Sequence, residues 1–240
     1  MMRGIRVAEV AWPEVLARIE AGATAVLPVG AACKAHGRHL PMGTDQLQAE
    51  WLGAALAERA PVLVWPTVSY GHYPAFVDYP GSCSLELDTF RALVEQILRD
   101  ILRAGVQRVL IINTGISTVA PLQQAKAHAG GAGRIVLCNV YEGARYRALA
   151  ARTEQQVRGG HADELETSIM LNIAPKRVDM ANANRWDTHE ISGVFSRTDP
   201  SAPGYSPDGV YGDPTLADAD KGWKLLHAML QDILEALNQS

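Results

Sequence analysis

The sequence predicts an α/β fold in which a parallel sheet is covered by helices on both faces. Three observations carry this. Four short runs rich in Val, Ile and Leu recur along the chain, at 25–29, 62–66, 108–113 and 134–140. Each is short and largely apolar, as buried parallel strands should be. Helical patterns stand between them, and strand–helix alternation favours parallel strands joined by crossover helices.

The elements follow in order. The run 25–29 is the first strand, and 46–59 is a weak helix after it. The run 62–66 is the second strand. The clearest helix is 87–104, where Phe90, Leu93, Val94, Ile97, Leu98, Ile101 and Leu102 recur at spacings of three and four and Gly105 can stop it. The third strand is 108–113, followed by a weak helix at 120–129. The fourth strand is 134–140, and helices follow at 141–157 and 164–173. An amphipathic helix at 221–237 comes last. No repeat or linker divides the chain, so residues 1–240 are expected to form one domain. Residues 182–215 differ: they are rich in Gly, Pro, Asp and Ser and hold Trp186, Phe195, Tyr205 and Tyr211. A loop of this length is usually functional or an arm to another subunit.

Composition narrows the function. Apolar residues make up 48% of the 240, enough for a sizeable core, and the net charge of −4 comes from mixed charges without a long run of one sign. That argues against a nucleic-acid partner, which calls for a basic face. No apolar segment approaches the ~20 residues needed to span a bilayer, so no membrane partner is expected. The N-terminal residues carry no signal-peptide pattern. Cys33, Cys83 and Cys138 are odd in number and far apart, which favours a reducing, cytoplasmic location over a disulfide framework.

The richest chemistry lies at 30–45, GAACKAHGRHLPMGTD, leaving the first strand. Open α/β sheets bind ligands at the carboxyl ends of their strands. His36 and Asp45 are plausible metal ligands, an imidazole with a carboxylate. A second cluster, GGHADELETS at 159–168, places His161 before a helix with Glu164 and Glu166 in its first turn. Asp163 and Glu166 also have capping-box spacing, so a purely structural role stays open. Together the two segments hold two imidazoles and three carboxylates, enough for one divalent ion and a spare base. Ser117, in Asn-Thr-Gly-Ile-Ser-Thr at 113–118, could let a substrate approach the backbone; the alternative is a tight turn capped by Ser117 or Thr118. His72, in Tyr-Gly-His-Tyr-Pro at 70–74, could face the site or be a hydrogen-bonded structural residue. Nucleotide-binding glycine loops and serine-hydrolase elbows are absent. Cys33 reads as a buried thiol.

The chain resembles the creatininase (creatinine amidohydrolase) family. The resemblance runs from about residue 25 to 215. It rests on LPVG followed by HGRHLPMGTD, then YPGS, HADELETS and GVYGDPT. It implies a three-layer α/β/α fold with a mainly parallel four-stranded sheet. It also implies a metal-dependent hydrolase, often hexameric, that cuts C–N bonds of small cyclic or linear amides, non-peptide bonds being the leading expectation. The family's usual ligands are incomplete here. Lys34 stands where a metal-binding Glu is usual, and Gly115 and Ser117 stand where a His and, in creatininase itself, a Glu are usual. What the resemblance leaves is a single ion (Zn, Mn or Fe) held by some of His36, Asp45, His161 and Glu166. Glu164 or His161 would relay a proton, Lys34 would stabilise an oxyanion or bind a substrate carboxylate, and Ser117 and His72 would contact substrate. The alternatives are a metal-free enzyme, with Lys34 replacing the cation, and an inactive member acting as a binding or assembly partner.

Overall fold

The computed structural model describes residues 3–130, 134–187 and 194–238. The sheet is parallel throughout and has five strands in the order β1-β3-β2-β4-β5. They are β1 (Ile5–Arg6), β2 (Thr24–Val29), β3 (Val62–Val64), β4 (Val109–Asn113) and β5 (Ile135–Asn139). The four-stranded expectation is therefore corrected to five. The added strand is two residues long at one edge, paired only to β3, and two residues leave no periodic signal.

Among the described residues the strands alternate with seven α-helices: α1 (Trp12–Glu20), α2 (Thr44–Ala57), α3 (Leu87–Arg103), α4 (Val119–His128), α5 (Ala144–Thr153), α6 (Glu164–Ile173) and α7 (Ala219–Asn238). Helix α1 is absent from the sequence-based pattern. Trp12, Val15, Leu16 and Ile19 recur at helical spacing along it, but it buries none of its residues fully and leaves Trp12 and Leu16 exposed.

Alternation along the strands makes the three layers. In β4, Val109 and Ile111 face a core with Phe90, Val94 and Leu98 of α3 and Leu122 of α4. Leu110 and Ile112 point the other way, into a core with Leu52 and Leu56 of α2, Ile169 of α6 and Leu225 and Met229 of α7. The chain runs from β2 to β3 on one side and from β4 to β5 on the other, so β2 and β4 flank the point where strand order reverses. Ligands bind outside the carboxyl ends of the strands at such a point. The 30–43 loop leaves β2 there and the 113–118 turn leaves β4 there.

Residues 182–215, apart from 188–193, which lie outside the described residues, return over this end of the sheet. Tyr211 pairs with the His161 backbone in both directions (3.2 and 2.9 Å), and Trp186 pairs with Gly212.

Candidate active site

The turn from β2 into α2 brings the first cluster together. A Cβ at Gly30 would lie 2.3 Å from the Asp45 carbonyl oxygen, so only glycine lets the first turn of α2 close on the end of the strand. The Thr114 hydroxyl locks this approach by donating to the Asp45 carbonyl oxygen at 2.9 Å. The Asp45 side chain is thereby buried beside Lys34 and His36.

Asp45 is the hub. Its Oδ2 lies 2.7 Å from Lys34 Nζ and its Oδ1 lies 3.0 Å from His36 Nε2. Burial works to raise its carboxyl, but the Lys34 ammonium and His36 outweigh burial and hold it well below the usual carboxylate range. Lys34 also sits 5.2 Å from the centre of the Phe76 ring, at cation–π distance.

Helix α6 supplies the second cluster. Asp163 caps it, with Oδ1 accepting from the amides of Leu165 and Glu166 at 3.0 Å each. Glu166 Oε2 reaches back to the Ala162 amide (2.8 Å) and its Oε1 accepts from Gln48 Nε2 (3.2 Å). The capping geometry and the candidate ligand set are thus one arrangement, because capping leaves Oε1 facing His36 Nε2 at 3.7 Å. Burial raises the Asp163 carboxyl to about 6 despite these donors.

The histidine hydrogen bonds identify the free nitrogens. A carbonyl can only accept, so His36 Nδ1 donates to the Lys34 carbonyl (2.8 Å) and His161 Nε2 donates to the Ala35 carbonyl (2.7 Å). Each ring then presents its other nitrogen. Burial, reinforced by His36 and Lys34, holds His161 well below its ordinary value, so it is neutral. A nitrogen of each ring and an oxygen of Glu166 lie within 4.8 Å of one another. With Nδ1 facing the Lys34 carbonyl, His36 Nε2 faces oxygens of two carboxylates, Asp45 at 3.0 Å and Glu166 at 3.7 Å. Imidazole and carboxylate ligands, with ring N–H groups anchored on backbone carbonyls, suit a divalent ion.

His161 and Glu166 open on a cavity of about 350 Å³. Its walls include Phe76, Phe195, Tyr141 and Tyr146, and Lys34, Asp45, Ser117, His161 and Glu166 reach it. Phe195, from the long loop, stacks on Phe76 with ring centres 5.2 Å apart, and Phe76 lies 4.2 Å from the His161 ring.

Two sequence candidates are not brought to this cluster. Glu164 is fully buried on the far side of α6. It accepts from the amides of Gln155 and Gln156 and pairs with Lys221 of α7. His72 donates Nδ1–H to the Leu85 carbonyl (3.0 Å) and does not line the cavity. The turn after β4 is tied internally, with Thr118 Oγ1 donating to Asn113 Oδ1 and the Gly115 carbonyl; its hydroxyl makes no cap on α4. Sequence reasoning missed Phe76, Tyr141 and Gln48. Gln48 alone carried a signal, standing three residues after Asp45 on the same helix face.

The family model described as creatininase, creatinine amidohydrolase, matches residues 8–237. A creatinine amidohydrolase of Pseudomonas putida is 27% identical over 260 aligned positions, covering 100% of this chain and 98% of that protein. A mycofactocin precursor peptide peptidase of Mycobacterium ulcerans is 26% identical, covering 94% and 85%. A solved creatininase structure described with Mn superposes with a TM-score of 0.85 at 24% identity, covering 99% and 98% of the two chains. A creatininase mutant described as Zn-Zn type superposes at 0.82 with 25% identity, covering 99% and 98%.

Proposed function

The chain belongs to the creatininase family, and on that premise we propose that it is an amidohydrolase that cleaves a C–N bond of a small amide with the help of one divalent ion. The observation that carries this reading is the convergence of a nitrogen of His36, a nitrogen of His161 and an oxygen of Glu166 within 4.8 Å of one another. His36, His161 and Glu166 would hold the ion. Bound there, a divalent ion supplies a Lewis acid and a water that ionises near neutral pH.

The chain's own groups do the rest. Lys34 has three N–H donors and directs one at Asp45, which leaves donors for the oxygen of a substrate amide as it gains charge. Gln48 and the Tyr141 hydroxyl, 2.7 Å from Gln48 Oε1, fix the rotamer of Glu166. Phe76 and Phe195 wall the cavity, and its volume suits a small molecule. Because one relative is named for a precursor peptide, the substrate is not restricted to non-peptide amides.

The test is turnover of a panel of small cyclic amides, linear amides and short peptides by the full chain, first stripped and then loaded with Mn²⁺ or Zn²⁺. Ion-dependent release of amine, lost in His36→Ala and Glu166→Gln, is the expected result. Absence of both bound ion and turnover overturns the reading. The buried Lys34–Asp45 pair favours a second reading, in which Lys34 supplies the positive charge alone. Turnover that survives chelation selects it.

A further inference from the structure

Behind the Lys34–Asp45 pair lies a second, far smaller cavity of about 10 Å³, the space of roughly one water molecule. Tyr73 and Thr118 line it, and it shares Lys34, Asp45 and Ser117 with the large cavity. Two features set its chemistry. Asp45 is the single His, Cys, Asp or Glu among its described lining residues, and the Lys34 ammonium already stands 2.7 Å from that carboxylate. A divalent ion needs several such ligands and would be repelled by the ammonium. Tyr73 is 1% exposed, and among the described residues its hydroxyl has no hydrogen-bond partner. The Gly71 amide lies on the phenol's side but outside hydrogen-bond geometry. A buried hydroxyl left unpaired is costly, and polar cavities of this size hold water.

We propose that this cavity holds one ordered water bonded to the Tyr73 hydroxyl, and that this water and the Lys34 ammonium take the place of a second metal ion, so that the chain binds one divalent ion and not two. A relative is described as Zn-Zn type; here the second cation is part of the polypeptide. Tyr73 is then a positioning residue, holding the water against Lys34 and Asp45. The ion count rests on the function proposed above, but the water does not.

Two measurements test this on the full chain. Calorimetric titration of the stripped protein with Mn²⁺ and with Zn²⁺, checked by elemental analysis, is expected to give one ion per chain. Two ions overturn the inference and correct the number of ions in the proposed function, leaving metal-assisted hydrolysis at this site standing. No ion overturns the count, and no ion together with no turnover overturns the proposed function as well. The water is tested separately on metal-free protein by Tyr73→Phe. If a water bridges the hydroxyl, the variant loses hydrogen bonds and Tm falls by about 3 °C. If the cavity is dry, the variant sheds an unpaired group and Tm rises, which overturns the water. Should the variant not accumulate, a crystal structure of the unaltered chain decides: density for one water beside the Tyr73 hydroxyl supports the inference, and an empty cavity ends it.

Discussion

Lys34 Nζ lies 2.7 Å from Asp45 Oδ2 with both side chains buried, while His36 occupies the other oxygen of the same carboxylate at 3.0 Å. Removing one partner of a buried pair leaves an uncompensated charge, at a cost of about 3–5 kcal/mol. Lys34→Met is expected to lose that much in urea denaturation. Lys34→Met with Asp45→Asn should recover a large part of it, because the double variant buries no lone charge. Equal losses in the single and double variants would remove the pair as the cause.

Acid should destabilise the fold in two stages. Burial, with His36 beside it, lowers His39 from 6.5 to about 4. The unfolded chain takes up that proton first, so stability is full above pH 6.5 and falls as pH drops toward 4. The shift corresponds to about 3 kcal/mol. His161 is shifted in the same direction. Asp45 acts next. Its folded value is depressed, so its contribution is present above about 3.8 and is lost as pH falls below that. Denaturant midpoints from pH 7 down to 2 check both stages, and His39→Gln should make the first shallower, with His161 sustaining the remainder, while leaving the second.

The parallel sheet was legible because β2, β4 and β5 are short, largely apolar runs, and His36 with Asp45 was legible because they stand nine positions apart where one loop runs into α2. The rest depended on tertiary structure. Phe76 and Tyr73 reach the site from a turn between β3 and α3, and Tyr141 reaches it from beyond β5; no local pattern links them to His36. Glu164 and Glu166 show the limit most directly. Two residues apart on a helix with 3.6 residues per turn, they point to nearly opposite sides. Only one could face the cluster, and spacing alone does not say which.

Glu164→Gln therefore separates a staple from a proton relay. Glu164 is fully buried, pairs with Lys221 and accepts from two backbone amides of the segment after α5. The variant is expected to lose about 3–5 kcal/mol of stability. Metal affinity and kcat per folded molecule should stay within about twofold, since the carboxylate touches neither cavity. A fall in kcat of about 100-fold without a change in stability, the size of a lost acid–base group, would return Glu164 to the chemistry.

Gln48→Leu tests the support of Glu166. Gln48 Nε2 donates to Glu166 Oε1 at 3.2 Å, and Gln48 Oε1 takes the Tyr141 hydroxyl at 2.7 Å. The leucine keeps the volume and removes both bonds, leaving Glu166 held by the Ala162 amide alone on its other oxygen, apart from a long contact with Tyr141 at 3.4 Å. Groups that orient a metal ligand typically contribute 10–100-fold to affinity. Mn²⁺ affinity, measured by competition with a chromogenic chelator, should fall by about that factor in Gln48→Leu, while His36→Ala should abolish binding. Unchanged affinity in Gln48→Leu, with binding still lost in His36→Ala, would mean that Glu166 does not hold the ion and that Asp45 takes its place in the ligand set.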